Sequence, residues 1–562
     1  MSTPTHSDPR RSIGRRTLVF VSVGAVIGSG WLFSSFDASQ IAGGGGAVTA
    51  WILGILLVLV LALVHAELGT MFPVDGGTAR FPLYAFGRVT GFFSGWFAWI
   101  SAVCVPAIET EAALRYVGNY APSLISESPG VVRLTPLGQL VAVFVLLGFT
   151  ALNAAGMRWF RETNTVVVWW KIAIPLIVAI AFMVHWFDFA NFAVGGFFPA
   201  GGHGVLAAIS TGGVVFALLG FEQAVELGGE TKHPQRSVPW AVIGSVVIAG
   251  AIYLIVQIAF VGAVPHSALT RGWHDVAFNG DFGPLAGLAG VIGLSAIAYL
   301  IYADAIISPA GSGMTFSATA SRLPFALARE GYLPAWLGTI NRRGVPFRSL
   351  SLCFVAQVVT IFVLPDWGGL LSFITAATVL VYATAPLALG VLRQSAPDLP
   401  RPYRLRFARL TAPTAFVIAN LLLIWVGWTT NSRLFAVVAV GAMILVVLAL
   451  VRPESRYTGL EWLAAAWIVP YAAAMCTLSY FSPYGDGRGS LSDWGCAVAV
   501  AVVSLVIYAL ALRLGTMADR RLPDIDRPIS RWFGLDAPAE DPEGQYVDPP
   551  PGPGGRRRPH RP

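Results

Sequence analysis

Three glycines and a serine lie close together in the first long apolar run of the chain: Gly24, Gly28, Ser29 and Gly30. A helix inside a lipid bilayer keeps its backbone N–H and C=O groups in its own hydrogen-bond ladder, because lipid offers no other partner. So many small residues weaken that ladder, and a helix that is broken inside a membrane exposes backbone groups that can bind a ligand. Close helix packing is the alternative interpretation, since Gly24 and Gly28 also have the spacing of small residues in packed membrane helices.

A second run of this kind, from Phe216 to Glu222, lies in the sixth apolar span. Gly220 falls in the middle of that span, directly before Phe221 and the carboxylate of Glu222. The two runs are five spans apart, so their helices cross the membrane in opposite directions. Paired broken helices in corresponding halves are typical of a five-plus-five inverted repeat with a ligand site at the membrane midplane. Because the two breaks occur at corresponding positions of the two halves, we interpret them as a binding site rather than as packing contacts.

Ionisable side chains inside apolar spans are costly and therefore mark candidate functional positions. Glu111 and Arg115 are spaced i, i+4 on one helix face, which predicts that their charges neutralise each other. Glu109 lies nearly opposite Glu111 on the same helix and is predicted to face the binding site. Asp304 has no local partner and is a second candidate for that site. Lys171 lies about eight residues inside the fifth span, roughly 12 Å deep at 1.5 Å per residue.

Long apolar runs must position these groups. The chain has 562 residues, of which 55% are hydrophobic and 12% are charged, whereas about 25% of the residues in a soluble domain are charged. This composition indicates a polytopic membrane protein embedded in the lipid bilayer. The net charge of +7 lies mostly in short loops beside apolar runs, where it reports membrane orientation rather than nucleic-acid binding. The four cysteines have no metal-type spacing, so no disulfide, metal or other cofactor is expected.

Fourteen apolar runs are long enough to cross the hydrocarbon core of a bilayer. They fall at 17–36, 46–70, 89–118, 136–155, 164–186, 205–227, 239–263, 285–313, 349–365, 369–392, 411–429, 434–451, 460–481 and 493–513. With the N-terminus in the cytoplasm, 31 of the 37 Lys and Arg residues fall on the inner side. An even number of spans then returns the C-terminus to the cytoplasm, as the positive-inside rule requires.

This pattern predicts an all-α polytopic membrane protein with four regions. A cytoplasmic N-terminal segment covers 1–16, and a core of ten spans in two inverted repeats, with broken first and sixth helices, covers 17–395. Four additional spans follow at 396–513. Residues 514–562 form a tail rich in Pro, Gly and Arg, which cannot bury apolar surface and is predicted to be disordered at the inner face.

The pattern of polar residues favours a secondary transporter over three other kinds of membrane protein. A membrane enzyme needs a polar catalytic cluster, and the eight histidines are scattered along the chain. A channel needs rings of like charge or carbonyl filters around a symmetric pore, whereas this chain shows a pseudo-twofold repeat. ATP-driven transport needs a phosphate-binding loop of the Gly-x-x-x-x-Gly-Lys-Ser/Thr type, which does not occur.

Residues 24–33 (GAVIGSGWLF) resemble the first-span signature of the amino acid–polyamine–organocation (APC) superfamily, whose core has the LeuT-like fold. Three further stretches agree in order and topology: AELGTMFPVDGG at 66–77, GFEQAVELGGETKHPQRSVP at 220–239, and SRLPFALAREGYLP at 321–334 with NRRGVP at 341–346. The resemblance covers roughly residues 15–395. Within the superfamily, VPAIETEA at 105–112 and FPVDGGTARFP at 72–82 resemble the branch that includes bacterial aspartate–proton symporters.

In this superfamily the unwound part of the first span binds the substrate carboxylate through backbone N–H groups. The resemblance assigns this role to Gly28, Ser29 and Gly30, with the Ser29 hydroxyl as an additional donor, because unpaired donors at a helix N-terminus favour an anion. The full set of residues assigned to the substrate, with the two charged candidates last, is Ala25, Ile27, Gly28, Ser29, Gly30, Phe216, Ala217, Leu219, Gly220, Glu109 and Asp304.

The sixth-span break would offer the carbonyl oxygens of Phe216, Ala217 and Leu219 to the α-ammonium group of the substrate. Phe216 stands where the superfamily has an aromatic residue that covers bound substrate; an ordinary packing phenylalanine is the alternative. Glu222 belongs to a Gly-Phe-Glu element that braces helices in the superfamily.

Lys171 resembles the fifth-span lysine of proton-coupled and sodium-independent members of the superfamily. There the ammonium group occupies the place that a sodium ion takes in sodium-driven relatives. The resemblance implies that carbonyls near the first-span break and the Ser312 hydroxyl hold it. Protonated Lys171 would support the substrate-ready shape of the first span, and loss of the proton would release that shape. A permanent ion pair with Asp304 is the alternative interpretation.

The expected function is secondary active transport of an amino acid across the cytoplasmic membrane, by proton symport with alternating access, and not catalysis. An amino acid or polyamine exchanger without net proton coupling is the alternative, and an integral membrane enzyme is a further one. The charge of the substrate stays open. An anionic substrate needs a cation in the site, whereas Glu109 and Asp304 are acidic. Either Arg115 or Lys171 offsets them, or the substrate is neutral or cationic.

Overall fold

The structure is a computed structural model. It describes residues 13–74, 77–128, 131–155, 159–278, 282–341, 344–364, 366–451 and 457–519. Most of the predicted N-terminal segment and of the predicted C-terminal tail lies outside these residues. The described part of the chain is almost entirely helical, as the long apolar runs predict.

The structure contains twenty α-helices in the described ranges, joined by turns, short 3-10 helices and one β-hairpin. In chain order the helices are α1 Arg15–Val26, α2 Gly30–Ala42, α3 Gly44–Met71, α4 Gly77–Phe86, α5 Arg88–Val117, α6 Pro136–Ala154, α7 Trp159–His185, α8 Gly201–Thr211, α9 Val214–Leu218, α10 Gln223–Glu226, α11 Pro234–Ala263, α12 Pro284–Val291, α13 Ser295–Arg329, α14 Phe347–Val363, α15 Trp367–Ser395, α16 Ala408–Val426, α17 Trp428–Val451, α18 Gly459–Ala465, α19 Ile468–Phe481 and α20 Asp493–Asp519. The strands are β1 Ile125–Ser128 and β2 Val131–Leu134, which pair antiparallel.

Many of these helices are suited to a bilayer. Within the described ranges, ten are long and apolar enough to cross a membrane, and the number rises to twelve when each of two bent helix pairs is taken as one span. The chain is therefore a multi-pass membrane protein. The eighth and ninth predicted spans correspond largely to α13 and α14, which do not reach the same threshold of length and hydropathy. The count of fourteen spans thus stays a prediction.

The first span is broken at the glycine-rich run. Helix α1 ends at Val26, α2 begins at Gly30, and the two helix axes differ by 48°. Residue Ile27 has extended backbone angles and ends the α1 ladder by donating its N–H to the Val23 carbonyl at 2.9 Å. Backbone groups between the two helices are therefore available to side chains and ligands.

The sixth span turns at two places, of which the sequence predicted only the second. Helices α8 and α9 meet at Gly213, which has a φ of +83°, and this junction bends the span by 45°. The chain leaves α9 at Leu219 and passes through Gly220, with a φ of +110°, before α10 begins. Both glycines adopt backbone conformations that other residues rarely tolerate.

The two broken segments are in direct contact. A Cβ added to Gly220 would lie 2.9 Å from the Ala25 carbonyl carbon, and one added to Gly30 would lie 2.8 Å from the Ala217 Cβ. Glycine at these two positions is what allows the first and sixth spans to approach so closely. The packing interpretation of the glycines and the interpretation as helix breaks therefore both hold.

Helices α5 and α15 form the centre around which the broken segments are placed. Helix α5 packs against α13 and α15, and the apolar 18-residue segment of α15 that could cross a membrane is completely buried. Helices α16 to α20 pack on α15 and on neighbouring helices of the core. An ion pair between Arg88 and Glu461, 2.8 Å between Nε and Oε1, fastens α18 to the start of α5.

Three predicted boundaries differ from the structure. The run predicted as one span at 285–313 contains two helices, because α12 ends at Val291 and Gly293, with a φ of +81°, interrupts the chain before α13. Helix α13 then continues to Arg329, into residues predicted as a loop. Helix α20 reaches Asp519 and so includes the first residues assigned to the tail. The β-hairpin was not predicted, since its strands have only four residues each.

Candidate functional site

The broken segments of the first and sixth spans enclose a small central cavity together with α5, α13 and α15. Its volume is about 30 Å³, which is little more than the space of a single water molecule. The lining residues of this central cavity are Ala25, Val26, Gly28, Gly30, Ser101, Val105, Glu109, Phe216, Ala217, Leu219, Glu222, Phe316, Ile374 and Thr378. Its walls lie close together, and an amino acid would require them to move.

The structure brings most of the predicted substrate residues to this cavity. Those that line it are Ala25, Gly28, Gly30, Glu109, Phe216, Ala217 and Leu219. Ile27, Ser29 and Gly220 belong to the two breaks but are not among the lining residues, and Asp304 lies away from the cavity. Glu222 lines the cavity, although the resemblance implied only a bracing role for it.

Glu109 contacts the first-span break. The Ser29 backbone N–H donates to its carboxylate, at 3.0 Å to Oε2 and 3.3 Å to Oε1, and the side chain is only 3% exposed. The Ser29 hydroxyl is buried and makes no hydrogen bond within the described residues. A donor that the resemblance assigns to the substrate carboxylate is thus already bound to a carboxylate of the protein.

Glu222 holds the second break in shape. Its Oε2 accepts a hydrogen bond from the Gly220 backbone N–H at 2.9 Å and another from the Tyr382 hydroxyl on α15. A carboxylate with two donors satisfies backbone that has left its helical ladder. The bracing role implied for Glu222 fits these contacts.

Asp304 is held by three donors outside the central cavity. Its carboxylate accepts hydrogen bonds from the indole N–H of Trp31 at 2.8 Å, from that of Trp170 at 2.8 Å and from the Ser308 hydroxyl at 2.9 Å. These contacts join α2, α7 and α13. The absence of a partner nearby in sequence is explained by these tertiary partners, and Asp304 is not among the residues that line the central cavity.

Lys171 is buried against the first span. Its ammonium group donates to the Gly24 carbonyl at 3.0 Å and to the Ser312 hydroxyl at 2.8 Å, and the residue is 2% exposed. Among the described residues, no carboxylate oxygen lies within 4.0 Å of it, so the alternative ion pair with Asp304 is not formed. The part of Lys171 in proton coupling stays a prediction.

The predicted pair of Glu111 and Arg115 is not formed as a direct contact. The Arg115 guanidinium carbon lies 4.7 Å from the centre of the Phe33 ring, and neither oxygen of the Glu111 carboxylate has a hydrogen-bond partner in the described ranges. Spacing of i, i+4 places the two Cβ atoms on one face but does not determine their rotamers. Here the arginine side chain extends instead along the aromatic surface of Phe33.

Two larger cavities lie beyond the central cavity, at opposite ends of α5. The near vestibule, about 660 Å³, includes Gly91 and Gly95 at the start of α5, and the far vestibule, about 540 Å³, includes Arg115 near its end. Twenty residues of helix between Gly95 and Arg115 correspond to roughly 30 Å. The central cavity lies between the two, at the level of Val105 and Glu109.

Aromatic and charged contacts separate the three cavities. On the far side, Phe216 of the central cavity meets Trp367 of the far vestibule edge to face, with ring centroids 6.1 Å apart. The near vestibule carries an ion pair between Arg80 and Glu330, at 3.1 Å, and a second between Arg322 and Glu230, at 3.5 Å. Side-chain contacts are therefore present on both sides of the central cavity.

Two hydroxyl residues of the site were missed by reasoning from the sequence. Ser101 on α5 and Thr378 on α15 both line the central cavity and are hydrogen-bonded to each other. Ser101 stands eight residues before Glu109, two helical turns away on the same face. That spacing was a signal that could have identified it once Glu109 was assigned to the site.

Comparison with known proteins supports the assignment of this arrangement to a family. A family model described as "Amino acid permease" matches residues 13–450, which include both broken spans and all the lining residues of the central cavity.

Individual relatives cover nearly the whole chain. The chain is 34% identical over 513 residues to the glutamate/serine transporter AimA of Bacillus subtilis (strain 168), covering 90% of this chain and 94% of the relative. It is 33% identical over 511 residues to the aspartate-proton symporter of the same organism, covering 90% of this chain and 97% of the relative. The branched-chain amino acid permease BcaP, from the same bacterium, is 24% identical and covers 77% of this chain and 92% of the relative.

The extent of these matches agrees with the resemblance seen in the motifs. It also agrees with the broken first span, the bent sixth span and the enclosed cavity between them. The chain belongs to the amino acid permease family.

Proposed function

We propose that this protein is a secondary active transporter that moves an amino acid across the cytoplasmic membrane together with protons, by alternating access. The observation that carries the proposal is a small central cavity between two larger vestibules at opposite ends of α5. A substrate site that opens to one vestibule at a time is what alternating access requires. Relatives named as a glutamate/serine transporter and an aspartate-proton symporter support amino acids as the substrate class and protons as the coupling ion.

The proposed topology has ten core spans in a five-plus-five inverted repeat, followed by four further spans. The break of α1 and α2 and the bend of α8 and α9 support a repeat in which the first and sixth spans correspond. Both termini lie in the cytoplasm in this proposal, because most Lys and Arg residues then fall on the inner side. The near vestibule is accordingly the cytoplasmic one, and the far vestibule opens to the outside.

The substrate would bind with its backbone groups between the two breaks. Its carboxylate would take donors at Gly28, Ser29 and Gly30, where helix α2 begins. Its ammonium group would bind the carbonyl oxygens of Ala217 and Leu219, whereas the Phe216 carbonyl already accepts the Leu219 N–H at 3.1 Å. Because Glu109 holds the Ser29 N–H in this structure, the carboxylate of the substrate displaces it on arrival.

The proton would act through groups on either side of Gly28. A Cβ at Gly28 would overlap Glu109 Oε1 and lie 3.2 Å from the Ser312 hydroxyl, and Ser312 in turn accepts from Lys171. Protonated Lys171 would support α1 through the Gly24 carbonyl. Loss of its proton would remove that support, so that binding of a proton and the shape of the first span are linked.

Transport by purified protein in proteoliposomes tests this function directly. With an inward proton gradient, labelled amino acids are expected to accumulate above the outside concentration, and a protonophore is expected to abolish accumulation. Liposomes without protein serve as the control. Uptake that occurs only when the liposomes contain amino acid inside, and that ignores the proton gradient, would contradict symport and indicate an exchanger.

A further inference from the structure

We propose that the central cavity selects a small, neutral, hydroxyl-bearing amino acid, and that Ser101 and Thr378 form the subsite for its side chain. This assignment rests on the proposed function and names the substrate class of the same site. Three properties of the cavity support it: the charges of its lining, the placement of its hydroxyl groups and its size.

The charges of the cavity disfavour an acidic side chain. Among its fourteen lining residues none is Arg, Lys or His, whereas two, Glu109 and Glu222, carry carboxylates. The nearby cation, Lys171, is already bound to Gly24 and Ser312 and is not part of the lining. A second carboxylate on the substrate would therefore enter a low-dielectric space with like charges and no cation to pair with, which is strongly unfavourable.

A cationic side chain is disfavoured for a different reason. The Glu109 carboxylate accepts the Ser29 N–H, and the Glu222 carboxylate accepts two donors from Gly220 and Tyr382. Both donors bind the same oxygen, Oε2, so the Glu222 carboxylate takes part in the structure of the second break. The cavity is also small, about 30 Å³, with Phe216 and Phe316 in its wall. A long side chain such as that of lysine or arginine would require a wider movement of these walls than a small side chain would.

The hydroxyl groups provide a positive signal for a neutral polar substrate. Ser101 Oγ and Thr378 Oγ1 bond to each other across α5 and α15, and both residues are buried, at 8% and 5% exposure. The neighbouring residues on the same helix faces, Val105 and Ile374, are apolar. Each hydroxyl can donate one hydrogen bond and accept others. A substrate hydroxyl placed between the two replaces their mutual contact with one bond donated and one accepted, so that each of the three hydroxyl groups takes part in a hydrogen bond.

An analogue without the hydroxyl lacks this compensation. If an alanine side chain separates Ser101 from Thr378, each hydroxyl loses its partner, and a buried polar group without a partner is unfavourable. Serine is therefore expected to be preferred over alanine by about tenfold or more. Aspartate and glutamate are expected to compete more weakly than either, because they introduce an unpaired charge.

Competition for uptake in proteoliposomes tests the assignment. Labelled serine is supplied outside proteoliposomes that contain the unmodified protein. Its uptake is measured in the presence of unlabelled serine, threonine, alanine, aspartate, glutamate or lysine, each at the same concentration. Serine is expected to compete most strongly, alanine about tenfold less, and the three charged amino acids least. Aspartate or glutamate competing better than serine would overturn the assignment while leaving the proposed function in place. Uptake of no amino acid at all would overturn the proposed function itself.

Two variants test whether Ser101 and Thr378 cause the expected preference for serine over alanine. Ser101→Ala and Thr378→Val are each expected to reduce the ratio of serine to alanine uptake by about tenfold, with alanine uptake retained. The matched controls are Ser94→Ala on α5 and Thr384→Val on α15, which lie on the same helices but line a separate crevice. These controls are expected to keep the ratio of the unmodified protein. A ratio that is unchanged in both Ser101→Ala and Thr378→Val would overturn the role of the hydroxyl pair.

Discussion

The backbone N–H of Ser29 at the first-span break donates to the carboxylate of Glu109 on α5, with 3.0 Å between nitrogen and Oε2. The protein thereby places its own carboxylate on a donor that the proposed mechanism gives to the substrate. Glu109 and the substrate carboxylate cannot both hold this N–H in the same geometry. Binding of substrate and release of Glu109 are therefore linked, and the charge of Glu109 competes with the ligand.

Weakening this competitor is expected to strengthen substrate binding. Glu109→Gln replaces a carboxylate acceptor by a neutral amide, and hydrogen bonds to charged groups are stronger by about 1 kcal/mol. We expect the dissociation constant for the substrate to fall about fivefold to tenfold, measured by equilibrium binding to purified protein at fixed pH. The control is Glu111→Gln on the same helix, because Glu111 does not line the central cavity. Weaker binding in Glu109→Gln would contradict the competition.

The close contact between the broken segments predicts a strong effect of Gly30→Val. A Cβ at this position would already lie 2.8 Å from the Ala217 Cβ and 3.0 Å from its Cα, and backbone cannot move away as a flexible side chain can. We expect loss of substrate binding while the protein still inserts and purifies. Gly244→Val on α11 is the matched control, since a Cβ there meets nothing within 4 Å. Unchanged affinity in Gly30→Val would exclude the first-span break as the site.

Lys171→Met is expected to abolish accumulation driven by a proton gradient. Methionine keeps the length of the side chain but cannot donate to the Gly24 carbonyl or the Ser312 hydroxyl. Exchange of labelled for unlabelled substrate, which needs no proton gradient, is expected to survive in part. The chain offers one other lysine as a control, the exposed Lys232, and Lys232→Met should accumulate substrate normally. Normal accumulation by Lys171→Met would place proton coupling elsewhere.

Asp304→Asn is expected to lower stability rather than to change selectivity. Its carboxylate accepts three hydrogen bonds from Trp31, Trp170 and Ser308, and hydrogen bonds to a charged group contribute about 1.5–3 kcal/mol each. Asparagine can accept only part of this set with a weaker, neutral oxygen. We expect a lower thermal unfolding temperature in detergent, with an unchanged order of competing amino acids in uptake. A changed order at unchanged stability would place Asp304 in the substrate site.

Sequence patterns predicted the parts of this structure that depend on local composition. Apolar length located most of the helices, and the glycines between Gly24 and Gly30 marked the break of the first span, because each lacks a side chain and weakens the helix wherever it stands. In the sixth span, the sequence pattern indicated the turn at Gly220 but not the earlier bend at Gly213, although both glycines have positive φ. Composition does not determine which of two nearby glycines bends a helix most.

Tertiary contacts were harder to predict than helix positions. Arg115 was paired with Glu111 from spacing alone, but the arginine rotamer follows the surface of Phe33. Asp304 was placed in the site because it lacked a partner nearby in sequence, and its partners come from helices far apart in the chain. Such partners become visible only when the packing of the helices is known.

The contacts between the two breaks have a mechanical consequence. Gly220 packs against the Ala25 backbone, and Gly30 packs against Ala217. The two segments are therefore in close contact at both points. Turning one segment while the other stays still would drive backbone atoms into overlap. In the proposed alternating access, movement on one side of the central cavity would therefore have to be accompanied by movement on the other, which disfavours a passage open to both sides at once.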